Sequence, residues 1–438
     1  MRCPLLRLII SCLILCLFSL SCNRSQPRNV NKDGVYIKNE NGKYSLYRNG
    51  EPFFIKGASG FTNLKRLNEA GGNTIRVWDT LNLGSILDSA QAHHLAVIAG
   101  LPMPPSESID DFYKTPKASA HVSKIAGIVN RFKHHPALLS WCVGNELAFP
   151  YKPKYNQFYT IFNDVVDMIH QDDPQHPVTT TIMSFQKKNI VNIKLRTKID
   201  FISFNIFGSI QTLNEDLQKF NWFWDGPFLI TEWGIEGPWT ADSQNAWGLI
   251  LKIPVQKRQS NIFQPMKSIC RLIIPGFWVD GILLGQKQEL TPTWFSMFDE
   301  NGAETEAVQV MHYIWTGQKA PKKAPVLKYM LVDGKGARDN ILFKPGITIN
   351  SKVYIEDPDT TGLTFKWEIF AEDWFKPNGA FNQKKPKEIK NLIIGQSGPD
   401  LKFKVPATEG PYRLLVYVYD QKGSFATSNT PFYVLKNP

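Results

Sequence analysis

Short apolar runs recur through the middle of the chain, each followed by a stretch in which apolar residues return every three or four positions. The runs are Phe53–Lys56, Thr74–Trp78, Ala96–Ala99, Ala137–Val143, Val178–Ile182, Phe201–Phe204 and Phe228–Thr231, and amphipathic segments such as Leu81–His94 and Asn156–Gln171 lie between them. Continuous apolar strands separated by helices predict a parallel sheet covered on both faces. Seven such units, with an eighth expected, over about 265 residues match the size of a (β/α)8 barrel, an α/β fold. A doubly wound sheet is the alternative, but no glycine-rich phosphate loop follows any of the strands.

The flanks have another rhythm. Gly34 to Phe54 reads as short strands around the turn dipeptides Asn41-Gly42 and Asn49-Gly50. Gln318 to Pro325 is a Pro/Lys linker, and beyond it strands alternate over Ile347–Ile355, Leu363–Phe370, Leu401–Val405, Arg413–Tyr419 and Phe432–Leu435. Turn signals punctuate them, which predicts a small β-sandwich after the barrel. Asp357 and Asp359 belong to a Pro-containing turn rather than to a calcium site.

The first residues form a leader: Arg2 and Arg7 precede a thirteen-residue apolar run, Leu8 to Leu20. Ser19-Leu20-Ser21-Cys22 resembles a bacterial lipoprotein box, in which Cys22 is lipidated and becomes the mature N-terminus. An ordinary cleaved signal is the alternative. The expected organisation is therefore 1–22 lipoprotein-type signal peptide, 23–49 tether and hairpin, 50–317 barrel, 318–325 linker and 326–438 sandwich. The expected location is the bacterial cell envelope, in the periplasm or on the outer membrane through the lipid anchor. Two cysteines remain beyond the leader region, Cys142 and Cys270, so this is no disulfide scaffold. The net charge of +11 is spread along the 438 residues without a basic block, which argues against a nucleic-acid partner.

Catalytic groups of such barrels come from the C-terminal ends of the strands. The second strand ends in Arg76-Val-Trp78, the fourth in Trp141-Cys-Val-Gly-Asn145-Glu146, and the seventh in Thr231-Glu232-Trp233-Gly234. Two carboxylates facing each other across a barrel mouth are what glycosidic-bond cleavage needs. One protonates the leaving oxygen and the other works on the opposite face of the sugar. No His/Asp cluster has metal-ligand spacing, so no metal and no cofactor is expected. Glu236 is a neighbouring decoy, and His135 lies on the face of the barrel concerned with stability.

On these residues the chain resembles a clan A retaining glycoside hydrolase, and within that clan the TIM-barrel catalytic domain of glycoside hydrolase family 2. The similarity is carried by Pro52-Phe-Phe-Ile-Lys-Gly57, Ala70-Gly-Gly-Asn-Thr-Ile-Arg76, His135-Pro-Ala-Leu-Leu-Ser-Trp-Cys-Val-Gly-Asn-Glu146 and Thr231-Glu-Trp-Gly234. The resemblance implies that Glu146 is the acid/base and Glu232 the nucleophile, with Arg76 as its counter-charge. It further implies a substrate-binding set of Arg76, Asn145, Asn205, Trp78 and Trp233, with Asn145 on the sugar 2-hydroxyl. Trp78, Trp233 and Trp239 are candidates to stack on sugar faces. The C-terminal sandwich reads as an immunoglobulin-like spacer in this company, with Trp367 in its core. A carbohydrate substrate and a monomeric state complete the expectation.

Two departures from the family pattern stand out. Phe207 has no hydroxyl where the family pattern offers a tyrosine to bond the nucleophile. Between Asp242 and Asp280 the sequence carries no acidic residue, and the eighth strand has two registers, one with Trp278 and one with Leu284 at its mouth end. Residues 243–284 thus leave activity open. The alternatives to a hydrolase are a β-glucan transglycosylase on the same barrel and a catalytically impaired glycan-binding surface lipoprotein.

Overall fold

The computed structural model describes residues 34–234, 277–285, 297–356, 361–372 and 386–436. Eight parallel strands close a barrel: β4 (Lys56–Ser59), β5 (Thr74–Val77), β6 (Ala96–Leu101), β7 (Leu138–Val143), β8 (Val178–Met183), β9 (Phe201–Phe207), β10 (Phe228–Gly234) and β11 (Phe277–Leu283). Six described helices lie between them: α1 (Leu64–Glu69), α2 (Leu83–Ala92), α3 (Pro116–Phe132), α4 (Asn156–Asp172), α5 (Lys187–Arg196) and α6 (Leu213–Phe220). A last helix, α7 (Glu306–Thr316), follows β11. Its ends are written in the sequence: the Thr305 hydroxyl accepts from Ala307 N–H, and Gly317 ends it in the left-handed region at φ 74°.

The period-2 alternation of each strand divides the core in two. Val97, Ala99 and Leu101 of β6 join the large cluster under the helices, whereas Ala96 and Ile98 meet Leu139, Cys142, Phe201 and Leu229 in a smaller one. That smaller cluster also takes Val35, Leu46 and Ile55. These come from, or just follow, the three-stranded antiparallel sheet β1 (Val35–Glu40), β2 (Lys43–Arg48) and β3 (Glu51–Pro52), which plugs the floor of the barrel. Its two turns have Asn41 and Asn49 at φ 54° and Gly42 and Gly50 at φ 80°, the paired positive dihedrals of a type I′ hairpin. Val35 N–H donates to the Gln175 carbonyl, so the chain enters at the floor.

The first barrel strand corrects the expectation of Phe53–Lys56: it is β4, Lys56–Ser59. Phe53 N–H still pairs with Leu46 O, so the apolar run serves the floor sheet, and the small residues Ala58 and Ser59 enter the barrel wall. The eighth strand lies between β10 and β4, with Trp278 opposite Leu229 and Leu283 opposite Ser59. Leu284 therefore stands at the mouth end, and Trp278 lies a level well below it.

A buried contact fixes the strand that carries Glu146. Trp141 is fully buried and donates its indole N–H to Asp173 Oδ2 at 2.8 Å; His176 Nδ1 lies 2.9 Å from both oxygens of the same carboxylate. Asp173→Ala strands this indole N–H, at a cost of about 1–3 kcal/mol. The expected result is a lower midpoint in thermal unfolding followed by circular dichroism.

After the barrel come two four-stranded sheets. One has the order β12 (Leu327–Val332), β14 (Thr348–Ile355), β17 (Asp400–Lys404), β16 (Ile393–Ser397); the other β13 (Leu342–Phe343), β19 (Phe425–Val434), β18 (Gly410–Tyr419), β15 (Thr364–Ala371). Val353 and Phe403 of the first share one core with Trp367, Val416 and Phe432 of the second. The unit is stitched to the barrel: Glu304 N–H donates to Gly423 O, Phe425 N–H to Glu304 O, and the Tyr419 hydroxyl to Asp299 Oδ2 at 3.1 Å. Within the Pro/Lys stretch Ala324 is buried, and Lys322 Nζ lies 3.6 Å from Glu304. Among the described residues no helix is long and apolar enough to cross a membrane. The leader with Cys22, and Glu236, Trp239, Cys270, Asp357 and Asp359, lie outside the described residues.

Candidate active site

Both carboxylates reach the mouth by local departures from regular backbone. After β7 the chain turns through Gly144 at φ 76° and then holds Glu146 itself at φ 53°. A Cβ on Gly144 would fall 2.3 Å from Leu147 Cδ1, so glycine alone fits that turn. A glutamate in the left-handed region costs on the order of 1–3 kcal/mol, the kind of strain that collects at functional sites. On β10 the register against β9 shifts between Ile230 and Glu232. Across this bulge two successive side chains, Thr231 and Glu232, both make side-chain hydrogen bonds, Thr231 to Asn205 and Glu232 to Arg76 and Trp78.

Arg76 sits at the centre of the hydrogen bonds around Glu232 and is 1% exposed. One guanidinium nitrogen donates to Glu232 Oε1 at 2.5 Å; the other donates to Asn145 Oδ1 at 2.6 Å and to Thr181 Oγ1 at 3.2 Å. A second donor reaches the same carboxylate oxygen, the Trp78 indole N–H at 2.8 Å from Glu232 Oε1. Glu146 has a different partner: Asn205 Nδ2 donates to its Oε1 at 2.9 Å, and the Thr231 hydroxyl donates to Asn205 Oδ1 at 2.9 Å. Each bond fixes which way an amide faces. Asn145 turns its Oδ1 to Arg76, so its Nδ2 is left as a donor on the exposed side of the mouth.

Arg76, Trp78, Asn145 and Glu232 thus share one hydrogen-bonded group, Glu146 and Asn205 another, while two of the expected sugar-binding residues take other roles. Asn205 is fully buried and its amide is spent on Glu146 and Thr231, so it holds a carboxylate rather than touching a sugar. Trp233 is 3% exposed and belongs to the core under the helices, because the residue after Glu232 points away from the mouth. It offers no face to a sugar. Thr231 and Thr181 are members that the sequence pattern does not single out, although a threonine directly before the strand-end glutamate is visible in it.

Residues 89–258, a span that includes both glutamates, match the family described as glycosyl hydrolases family 2, TIM barrel domain. Among solved structures, a β-glucuronidase from Faecalibacterium prausnitzii is 17% identical over 65% of this chain and 52% of that one, with a TM-score of 0.48. The β-glucuronidase of Bacteroides uniformis is 10% identical over 91% of this chain and 48% of that one, with a TM-score of 0.50. An endo-β-1,4-mannanase from Thermotoga petrophila is 12% identical over 89% and 99% of the two chains, with a TM-score of 0.43. The chain spans about half the length of the two β-glucuronidases. No curated protein matches the chain. The match to the glycosyl hydrolases family 2 TIM barrel domain thus falls on the strands that bear Glu146 and Glu232.

Proposed function

We propose that the protein is a retaining β-glycosidase that hydrolyses an O-glycosidic bond of a poly- or oligosaccharide by double displacement. The observation that carries this reading is a pair of carboxylates at the mouth ends of β7 and β10, one of them bonded to a buried guanidinium. Glu232 faces a buried guanidinium, which suits a nucleophile that must carry charge until it attacks. Glu146 accepts a hydrogen bond from the Asn205 amide, a bond compatible with either protonation state and so with an acid that later becomes a base.

In the first step a Glu232 oxygen bonds to the anomeric carbon, and the glycosidic C–O bond breaks. Its electron pair leaves on the departing oxygen, which takes the proton from Glu146. In the second step water attacks the same carbon, Glu146 takes the water's proton, and Glu232 leaves as carboxylate. Asn145 Nδ2 is the donor in place for a sugar hydroxyl as the charge develops. A transglycosylase would use the same residues and pass the sugar to another hydroxyl in place of water. Phe207 and the Leu284 end of the eighth strand favour a second reading, a glycan-binding barrel without turnover.

Two further parts belong to the proposal. The C-terminal unit is an immunoglobulin-like spacer, supported by its sheet orders, which read as the first, second, fifth and fourth long strands on one side and the third, sixth and seventh on the other. The chain is exported and held in the bacterial envelope through lipidated Cys22, as a monomer.

Intact mass after exposure to activated 2-deoxy-2-fluoro β-glycosides of the gluco, galacto, manno, xylo and glucurono series tests the mechanism. The expected result is a gain of one fluorosugar in the wild type and none in Glu232→Gln, with the accepted donor naming the sugar. Saturable glycan binding with no adduct and no product from any donor or longer oligosaccharide would sink the hydrolase in favour of the binding protein.

A further inference from the structure

Glu232 has two donors on one of its oxygens and, among the described residues, none on the other. Arg76 and Trp78 both bond Oε1, and the described partners of this carboxylate end there. An oxygen that accepts two donors has its electron density drawn toward them, whereas the bare one keeps a lone pair free for a new bond. The carboxylate is also turned by the two donors, since a carboxylate pinned at one oxygen from two directions holds its other oxygen at a fixed place.

We infer that Trp78 is a positioning residue for the nucleophile, and that Oε2 of Glu232 is the atom that attacks the sugar. This rests on the glycosidase reading above and replaces the expected stacking role of Trp78. Two observations point away from stacking. The indole N–H is directed at Glu232 Oε1, and the Arg76 guanidinium carbon lies 5.8 Å from the Trp78 ring centroid, so the ring is engaged by the cation. Trp78 is half-buried, which agrees with a side chain built into the site's wall. Phe207, at the end of β9, brings no hydroxyl to the carboxylate, so the indole is the neutral donor on hand. Oε2 forms the bond to the anomeric carbon as the glycosidic C–O bond breaks, and the leaving oxygen takes the proton of Glu146. Arg76 and Trp78 stay on Oε1 throughout, so nothing at that oxygen has to reorganise during the step.

The test separates a donor from a platform. Trp78→Phe keeps an apolar ring and removes the N–H; Trp78→His returns an N–H on a smaller ring. Steady-state kinetics and the rate of inactivation by the accepted 2-deoxy-2-fluoro glycoside are measured for the wild type and both variants, with thermal melts to check folding. The expected result for Trp78→Phe is a roughly 10- to 100-fold fall in kcat and in inactivation rate, with KM within about twofold, as for the loss of one preorganised donor. Trp78→His recovers part of that loss. A rise in KM with kcat and inactivation rate untouched overturns the inference and restores the platform, and so does an equal loss in both variants. If the wild type is neither active nor labelled, the glycosidase reading itself falls and takes this role with it. A labelled wild type with an equally fast Trp78→Phe removes only the role of Trp78.

Discussion

Glu232→Gln is expected to lower kcat by roughly 10⁴- to 10⁶-fold, because the proposed mechanism makes this group the one that forms the covalent intermediate. Glutamine keeps an oxygen for the donors of Arg76 and Trp78, so the shape of the network survives. What is lost is the negative charge. Arg76 is 1% exposed, and the variant replaces its ionic bond to Glu232 with a bond to a neutral amide. Neutralising one member of a buried ion pair while its hydrogen bonds remain costs about 1–3 kcal/mol. The variant should therefore melt below the wild type while keeping its circular dichroism spectrum. Turnover within tenfold of wild type would remove Glu232 from the mechanism; an unchanged melting point would mean that the pair contributes nothing to the fold.

The second large effect is that of Glu146→Gln, and its signature depends on the leaving group. With natural glycosides the departing alkoxide needs a proton, and kcat/KM falls by roughly 10²- to 10⁴-fold. With an activated leaving group such as fluoride or dinitrophenolate, the first step needs no acid and is spared. The second step still lacks its base, so the glycosyl-enzyme accumulates and appears as a burst of leaving group followed by slow turnover. Azide, a nucleophile that needs no deprotonation, should restore the rate and give a β-glycosyl azide. The Asn205 amide can donate to Oε1 of residue 146 in either form, so that bond is kept in the variant. Equal loss with good and poor leaving groups would contradict an acid/base role for Glu146.

Much of this arrangement is readable from the chain alone, because a glutamate placed directly after a buried apolar strand has one place to go in a closed parallel barrel. Ala137–Val143 and Phe228–Thr231 announce both carboxylates, and Arg76 follows for the same reason. The partners of Glu146 and the contact made by Trp78 are not readable. They depend on the shift between Ile230 and Glu232 and on the left-handed turn at Glu146, neither of which alternation along one strand can reveal. Trp233 misleads for a related reason: its neighbour's importance says nothing about the face on which it stands. In the C-terminal unit the expected Phe432–Leu435 is the tail of the longer β19. Its polar run Thr427-Ser428-Asn429-Thr430 hides the rest, although Thr427, Ser428 and Thr430 are buried in the sheet. The apolar run Phe53–Ile55 reads as barrel wall, yet Phe53 pairs back to β2 and Ile55 packs into the floor.

The floor plug has a mechanical consequence. Val35 is fastened to the Gln175 carbonyl in the loop that leads into β8, while Glu146 and Glu232 stand at the other end of the same staves. Whatever precedes Gly34 is thus attached to the end of the cylinder farthest from the chemistry. A bulky partner fused ahead of Gly34 loads the closed end of the cylinder and leaves the path to the opening clear.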